Sequence, residues 1–153
     1  MEIALYEPDI PQNTGTILRL GACLGVSVHI IEPAGFPVSD RAFKRAGLDY
    51  LESVKIERHV SFAAFDAWRK ANTRRLVLLT TRGDAPYPSF AFKHDDILLC
   101  GRESSGVPDK VRAATDASVR IPMREGLRSL NIAVALSMVL GEALRQTGRL
   151  NDG

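Results

Sequence analysis

Short apolar segments alternate with longer amphipathic segments along this chain of 153 residues. The apolar segments have the length and composition of buried strands, and they lie at residues 3–6, 26–31, 76–80, 97–100 and 119–121. Candidate helices occupy residues 14–24, 40–47, 61–71, 108–114 and 130–146. This alternation predicts an α/β fold in which helices flank a mostly parallel sheet. Because no linker or repeat divides the chain, we expect a single domain over residues 1–153.

The composition excludes several classes of protein. With 45% hydrophobic and 25% charged residues, the chain is neither disordered nor of low complexity. The net charge of +2 permits an RNA partner without requiring one. The most apolar run, residues 132–140, is shorter than the roughly 18 residues of a membrane span, and residues 2–6 do not resemble a signal peptide. We therefore expect a soluble cytoplasmic protein without a membrane partner.

Cysteine and histidine residues give no sign of a disulfide or metal centre. Cys23 and Cys100 lie far apart, and no Cys/His spacing suits zinc. The simplest interpretation is that both cysteines are small buried residues in a reducing compartment. We expect His29 to lie in the core, and His59 and His94 to be exposed.

Turns rich in proline or glycine follow several of the predicted strands. In open α/β sheets, ligands bind at the carboxyl ends of strands, so these turns are the place to look for chemistry. Residues 101–106 contain two glycines at the spacing of a phosphate-binding loop, but Val107 and Pro108 stand where Lys-Ser/Thr should follow. A GxGxxG fingerprint after the first strand is also missing. Neither a P-loop enzyme nor an NAD-type Rossmann enzyme is indicated.

The first candidate site segment is the polar turn and helix start at residues 11–19. Asn13 is suited to cap the helix, which would be a structural role. Arg19 lies within an otherwise apolar stretch, so its charge needs either a partner or solvent.

Two further segments follow predicted strands. In residues 101–108, a plain strand-turn-helix connection explains the glycines but leaves Arg102 and Glu103 at the mouth of the sheet unexplained. Before the last helix, Ser129 is expected to be the cap and Asn131 to lie in the first turn. Amide protons at such a helix start are also suited to an anionic ligand.

The last predicted helix has apolar residues in almost every direction around its axis. Such a helix is usually buried on both sides. It is either the central core helix of a monomer or a helix with one side against a second subunit, and the small sheet favours the dimer. Leu140 is one position that we expect to face the partner.

Together and in this order, the three segments resemble the three motifs of the SpoU branch of the SPOUT methyltransferases, which methylate RNA ribose 2′-hydroxyls with S-adenosylmethionine. The similarity covers nearly the whole chain. It is greatest with the enzymes that modify the cytidine or uridine at the tRNA wobble position (position 34). Those similarities lie in residues 5–15, 31–36, 45–50 and 121–131.

The resemblance implies a C-terminal trefoil knot, a homodimer and S-adenosylmethionine held in the knot. The residues that it assigns to the cofactor are Leu79, Gly101, Ile121, Met123 and Ser129. At the second motif the family often has Pro-Glu where this chain has Arg102-Glu103, which leaves the role of Arg102 open.

The resemblance also implies that Arg19 acts on the ribose 2′-hydroxyl, either as a base or as a charge that stabilises the developing alkoxide. We favour the second role, because guanidinium pKa values lie above about 12. Asn13, Glu103 and Asn131 would orient the ribose, Arg19 and the loops. The alternatives are a SpoU-type enzyme for another tRNA position or for rRNA, and a non-catalytic RNA-binding factor.

Basic residues provide candidate contacts for the tRNA anticodon loop. Arg124 and Arg128 flank the expected site, and there we favour phosphate contact. A second group lies on one candidate helix at Arg41, Lys44 and Arg45. The third group, Arg69, Lys70, Arg74 and Arg75, is more typical of a solvated face.

Overall fold

A computed structural model describes residues 1–39, 41 and 51–152. The strands are β1 (Glu2–Tyr6), β2 (Val28–Ile31), β3 (Ile56–His59), β4 (Arg75–Leu79), β5 (Ala85–Pro86), β6 (Asp96–Cys100) and β7 (Ala117–Arg120). The α-helices are α1 (Pro11–Leu24), α2 (Phe62–Ala71), α3 (Asp109–Ala114) and α4 (Ile132–Gln146). Short 3-10 turns lie at Leu51–Ser53, Tyr87–Ser89 and Arg149–Asp152. The candidate helix at 40–47 and the motif segment at 45–50 lie outside the described residues, apart from Arg41.

The strands form one sheet in the order β3-β2-β1-β6-β4-β7-β5. Every neighbouring pair is parallel. All five residues of β6 are buried, as expected for a strand covered on both faces. The predicted α/β class with a mostly parallel sheet and flanking helices is confirmed.

Helices cover the sheet on both sides. On one side α1 and α4 pack against the sheet through residues that include Ile17, Leu18, Leu136 and Leu140. On the other side α2 and α3 contribute Phe65 and Val111 to a second apolar layer. Among the described helices, none is both long enough and apolar enough to cross a membrane.

Two strands were missed by the sequence analysis. The residues of β3 are Ile-Glu-Arg-His, and this strand lies at the edge of the sheet, where burial is incomplete. The other, β5, is a two-residue edge strand that contains Pro86. Neither strand is an apolar run, because edge strands do not need two buried faces.

Both predicted helix caps differ from the structure. Pro11 occupies the first turn of α1 and Ile10 precedes it, so Asn13 lies inside the helix and does not cap it. Asn131, rather than Ser129, caps α4, with its Oδ1 accepting hydrogen bonds from the backbone N–H groups of Ala133 (2.9 Å) and Val134 (3.3 Å). A cap therefore accounts for the asparagine in this apolar stretch.

The apolar residues of α4 divide between core and surface. The expectation that Leu140 faces a partner is wrong, because its side chain is fully buried within the subunit. Val134 and Met138 are instead 50% and 39% exposed. Leu130, four residues before Val134, is also exposed, and we call Leu130, Val134 and Met138 the α4 apolar surface. Burial in the core therefore explains only some of the apolar residues that surround the axis of α4.

The cysteines and histidines follow the predictions in part. Cys100 is buried, and this burial raises the pKa of its thiol to about 12, whereas Cys23 is exposed, contrary to expectation. His29 is fully buried and His94 is exposed, as predicted. The prediction for His59 is wrong, since it is half-buried in β3 and its ring lies 5.6 Å from that of Trp68.

Arg69 is not part of a solvated face. Its guanidinium is almost fully buried and forms hydrogen bonds with Asp66 (2.7 Å), Asp116 (2.9 Å) and the carbonyl oxygens of Arg74 (3.2 Å) and Ala114 (2.7 Å). Asp116 also accepts a hydrogen bond from the backbone of β4. This network fixes the end of α2 to the segment between α3 and β7.

We expect Arg69→Ala to lower the free energy of unfolding by about 3 kcal/mol, because it leaves buried acceptors without their donor. Lys70→Ala is the matched control, since Lys70 pairs with the same Asp66 but its side chain is 64% exposed. Its cost should stay below about 1 kcal/mol. Urea unfolding of the two variants would test this, and equal losses would contradict it.

Candidate active site

A cleft of about 460 Å³ lies at the carboxyl ends of β4, β6 and β7. This volume is typical of small-molecule sites, which span roughly 300–1,000 Å³. Eight of the nine predicted site residues line the cleft. They are Asn13, Leu79, Gly101, Glu103, Ile121, Met123, Ser129 and Asn131. The structure thus brings the three sequence segments together at the place where α/β sheets bind ligands.

The turn after β6 forms one wall of the cleft. Arg102 and Gly106 exchange backbone hydrogen bonds of 3.0 and 2.8 Å, which closes the turn. A Cβ at Gly101 would lie 2.7 Å from the carbonyl carbon of Gly106. Glycine is therefore required at position 101 by the turn itself, in addition to any ligand that approaches it.

The first and third segments are joined by two asparagines. Asn131 Nδ2 donates a 3.0 Å hydrogen bond to Asn13 Oδ1. Because Asn131 also caps α4, it fixes Asn13 relative to the start of that helix. Both side chains line the cleft. The side-chain amides of both asparagines are thereby held in place in the cleft.

The first and second segments are joined by Asp9 and Glu103. The backbone N–H of Asp9 donates to Glu103 Oε2 (3.1 Å), and the backbone N–H of Glu103 donates to Asp9 Oδ1 (3.1 Å). Ser104 Oγ donates to Asp9 Oδ2. Hydrogen bonding with the Glu103 side chain, and then with Ser104, lowers the pKa of Asp9 to about 2. Burial, followed by the hydrogen bond with Asp9, raises the pKa of Glu103.

Asp9 was missed by the sequence analysis. It lies within the first motif, but its loop is held by a distant segment, since the backbone N–H of Gly35 donates a 2.8 Å hydrogen bond to the carbonyl oxygen of Pro8. A Cβ at Gly35 would lie 2.9 Å from the Asp9 Cβ. A glycine that allows such close approach can mark a loop fixed by the rest of the fold.

The structure provides a role for Arg102. Its Nη1 lies 3.5 Å from Glu7 Oε2 and its Nε lies 3.7 Å from Asp9 Oδ2. The guanidinium therefore pairs with two acidic groups of the loop after β1. Glu7 itself has a positive φ of 40°, a conformation that a non-glycine residue seldom adopts without support.

Arg19 is the one predicted site residue that does not line the cleft. It is exposed on α1, six positions after Asn13. Six residues correspond to about 9 Å along a helix and to a turn of roughly 240° about its axis. Arg19 thus points away from the face of α1 that presents Asn13 to the cleft.

The predicted basic groups are placed differently. Arg124 and Arg128 are exposed and adjoin the cleft residues Met123 and Ser129. Arg41 is exposed as well. Lys44 and Arg45 lie outside the described residues.

The residues of the cleft suit S-adenosylmethionine. Leu79, Ile121 and Met123 provide apolar contacts for a ring, and the glycine turn allows a ligand to approach the backbone. Ser129 and the asparagines provide polar groups for the hydroxyl, amino and carboxylate groups of the ligand. The donor set is therefore appropriate for a nucleoside joined to an amino acid.

Curated proteins similar to this chain are tRNA methyltransferases. The tRNA (cytidine(34)-2′-O)-methyltransferase of Beijerinckia indica subsp. indica is 66% identical over 148 residues, which cover 97% of this chain and 92% of that protein. The enzyme of the same name from Escherichia coli K12 is 43% identical over 150 residues and covers 97% of this chain and 94% of its own.

Solved structures show the same fold. One that concerns the 2-OH methylation of C/U34 on tRNA has a TM-score of 0.86 and 42% identity, and covers 95% of this chain and 94% of its own. The SpoU methyltransferase of Streptomyces viridochromogenes in complex with AdoMet has a TM-score of 0.87 and 30% identity, and covers 95% of this chain but 57% of its own.

The family model of the SpoU rRNA methylases matches residues 1–141, which is most of the chain. Together with the cleft, in which the three motifs meet, this match establishes that the chain belongs to the SpoU rRNA methylase family.

Proposed function

We propose that this protein transfers a methyl group from S-adenosylmethionine to the ribose 2′-hydroxyl of the wobble nucleotide of tRNA, a cytidine or a modified uridine. The observation that carries the proposal is the convergence of the three motifs on one cleft at the ends of β4, β6 and β7. Relatives that match almost the whole chain carry the name of this activity. Since tRNA is the substrate, we place the enzyme in the cytoplasm.

We assign cofactor binding to Leu79, Gly101, Ile121, Met123 and Ser129. When bound, S-adenosylmethionine supplies an electrophilic methyl group on a sulfonium. The protein then needs to hold a ribose oxygen in line with that methyl group, exclude competing water and assist loss of one proton. The cleft residues hold the cofactor and orient the ribose, and none of them needs to form a covalent bond with either.

Asn13, Glu103 and Asn131 orient the reacting groups in this proposal. Asn131 holds Asn13 through the 3.0 Å amide hydrogen bond, which leaves the Asn13 amide protons for the acceptor nucleotide. Glu103 is held by the backbone N–H of Asp9. Arg102 is a positioning residue, since its guanidinium lies against Glu7 and Asp9 and so supports the loop that holds Glu103.

Arg19 stabilises the developing alkoxide of the 2′-oxygen in our proposal. Because Arg19 does not line the cleft of its own subunit, a second subunit is the simplest means of bringing its guanidinium to a cleft. The α4 apolar surface lies next to the cleft, where Leu130 belongs to both. We therefore propose a homodimer in which Arg19 of each subunit serves the cleft of the other.

The same proposal includes a trefoil knot and one domain over residues 1–153. Two features support the knot. A Cβ at Gly83 would lie 2.2 Å from the carbonyl carbon of Val119, so the loop after β4 crosses β7 in direct contact. The segment between β7 and α4 then returns to line the cleft beside the turn at Gly101.

We expect the purified enzyme to methylate an anticodon stem-loop that carries ribose at position 34, and to leave one with 2′-deoxyribose there unmodified, because the acceptor oxygen is gone. Methyl transfer from labelled cofactor, followed by nucleoside mapping, measures this. A methylated base, methyl incorporation into the deoxy substrate, or transfer to rRNA in place of tRNA would contradict the proposal.

We expect Met138→Glu to dissociate the dimer, because it places a charge in an apolar contact. Val60→Glu is the matched control, since Val60 is 78% exposed and belongs to neither the cleft nor the α4 apolar surface. Sedimentation velocity should give dimers for the wild type and for Val60→Glu. An active wild-type monomer, or a dimer that Met138→Glu does not weaken, would show that the surface is wrongly assigned.

We expect Arg19→Ala to lower kcat by at least about 100-fold with cofactor affinity nearly unchanged, as for a group that acts in the transition state. Arg19→Lys should restore little activity, because an ammonium lacks the planar fork. Arg58→Ala, at an exposed arginine on β3, is the control and should leave kcat near the wild-type value.

Mixed dimers test whether Arg19 acts across the interface. Arg19→Ala and Glu103→Ala subunits, each inactive alone, should regain about a quarter of wild-type activity when combined at random, because half the dimers then contain one intact site. If Arg19 acts within its own subunit, both sites of the mixed dimer are defective and activity stays absent.

A further inference from the structure

A cluster of polar side chains lies on the far half of the sheet from the cleft, where β1, β2 and β3 meet α2. The parallel register pairs Ala4 with His29, and His29 with Glu57. Side chains two residues apart on a strand point to the same face. Glu2, His29, Glu57 and His59 therefore share one face of three adjacent strands, and the helix α2 covers them with Phe65 and Trp68.

Three of these side chains direct metal-binding atoms at one another. His29 Nδ1 lies 3.0 Å from His59 Nε2 and 3.8 Å from Glu57 Oε2, and all three atoms lie within 4.8 Å of one another. Tetrahedral zinc with bonds of roughly 2.0–2.1 Å needs neighbouring ligand atoms about 3.3 Å apart. The separations of 3.0 and 3.8 Å from His29 Nδ1 lie on either side of that distance.

The hydrogen bond behind His29 fixes which nitrogen faces the cluster. His29 Nε2 lies 3.1 Å from Glu2 Oε2, and a carboxylate is an acceptor, so Nε2 carries the proton. Nδ1 then presents a lone pair to His59 and Glu57. A histidine backed by a carboxylate in this way is the usual arrangement around metal-binding histidines.

The cluster contains more acceptors than donors. His29 Nδ1 and Glu57 Oε2 both offer lone pairs, whereas His59 Nε2 has at most one proton to share between them when the ring is neutral. Lys55 lies 2.5 Å from Glu57 Oε1, so the other oxygen, Oε2, stays directed at His29. With the His59 proton on Nδ1 instead, one cation could accept lone pairs from all three atoms.

We propose that His29, Glu57 and His59 form a zinc site, with Glu2 as the carboxylate behind His29 and a water molecule as the fourth ligand. Two histidines and a carboxylate with one open position are a known ligand set for zinc. His29 is fully buried, but Glu57 and His59 are partly exposed, so an ion can enter from their side. The site would join the edge strand β3 to β2.

The site was not predicted from the sequence because its ligands come from two strands, His29 from β2 and Glu57 with His59 from β3. His29 and His59 are thirty residues apart, and no local spacing indicates that they meet. The site is separate from the catalytic cleft, which lies at β4, β6 and β7. Zinc binding can therefore be measured without an assay of methyl transfer.

The test uses the full, untagged chain after removal of metal with a chelator. Zinc titrated against a competing chelator should bind once per chain, and elemental analysis after dialysis should give the same ratio. Trp68 is the single tryptophan, and its ring lies 4.6 Å from that of His29. Cobalt at the site should therefore quench tryptophan fluorescence and give the visible absorption of tetrahedral coordination.

Substitutions distinguish zinc binding at this site from adventitious zinc binding elsewhere on the chain. His59→Ala and Glu57→Gln should raise the zinc Kd at least about 100-fold, and Glu2→Gln about 10–100-fold as expected for a residue behind a ligand. His94→Ala changes the exposed histidine outside the cluster and should leave the Kd unchanged. If His59→Ala fails to fold, Glu57→Gln and the wild-type cobalt spectrum decide the matter.

Three results would overturn the proposal. The first is a wild-type chain that retains no zinc after dialysis. The second is loss of zinc binding in His94→Ala and not in the cluster variants. The third is cobalt binding that leaves the fluorescence of Trp68 unchanged. Any of these would identify the cluster as a hydrogen-bonded packing group that binds no metal.

Discussion

The three central strands of the sheet are buried on both faces, and this burial determines where polar groups can lie. Because β1, β6 and β4 have helices on both sides, their backbone groups must pair with one another, and their side chains are mostly apolar. Their charged residues, Glu2, Arg75 and Asp96, are the first residues of these strands, at the opposite end from the cleft. The cleft lies at the carboxyl ends of β4, β6 and β7, and its polar groups come from the loops and helix starts that the sheet positions.

Pairs of hydrogen bonds connect these loops over long sequence separations. Asp9 and Glu103 exchange two backbone-to-carboxylate bonds across 94 residues, and Asn13 meets Asn131 across 118 residues. Each pair joins two of the three motifs, so the shape of the cleft depends on contacts between segments that are distant in the sequence. The two carboxyl groups also differ in pKa. Hydrogen bonds with Glu103 and Ser104 lower the pKa of Asp9 to about 2, whereas burial raises that of Glu103.

Much of the fold was predictable because its signals are local. Buried strands such as residues 97–100 form apolar runs, and helices α1, α2 and α4 show their length and periodicity. Edge strand β3 was missed since half of its surface faces water, and the cap of α4 was assigned to Ser129 because serine and asparagine compete equally for such a position. Most predicted site residues came from a family resemblance. Asp9 and the cluster at His29 depend on contacts between distant segments, which no local pattern specifies.

The positions of Arg19 and Arg102 illustrate how differently two cationic groups near one site can act. Arg102 is one-third exposed and lies against two carboxylates, so its charge is used within the subunit to support the loop after β1. Arg19 lies on an exposed helix face outside its own cleft. In the proposed homodimer, Arg19 would reach the cleft of the other subunit. Each cleft would then combine a cation from one chain with the acidic loop of the other, so that the alkoxide-stabilising charge and the orienting carboxylates come from different subunits.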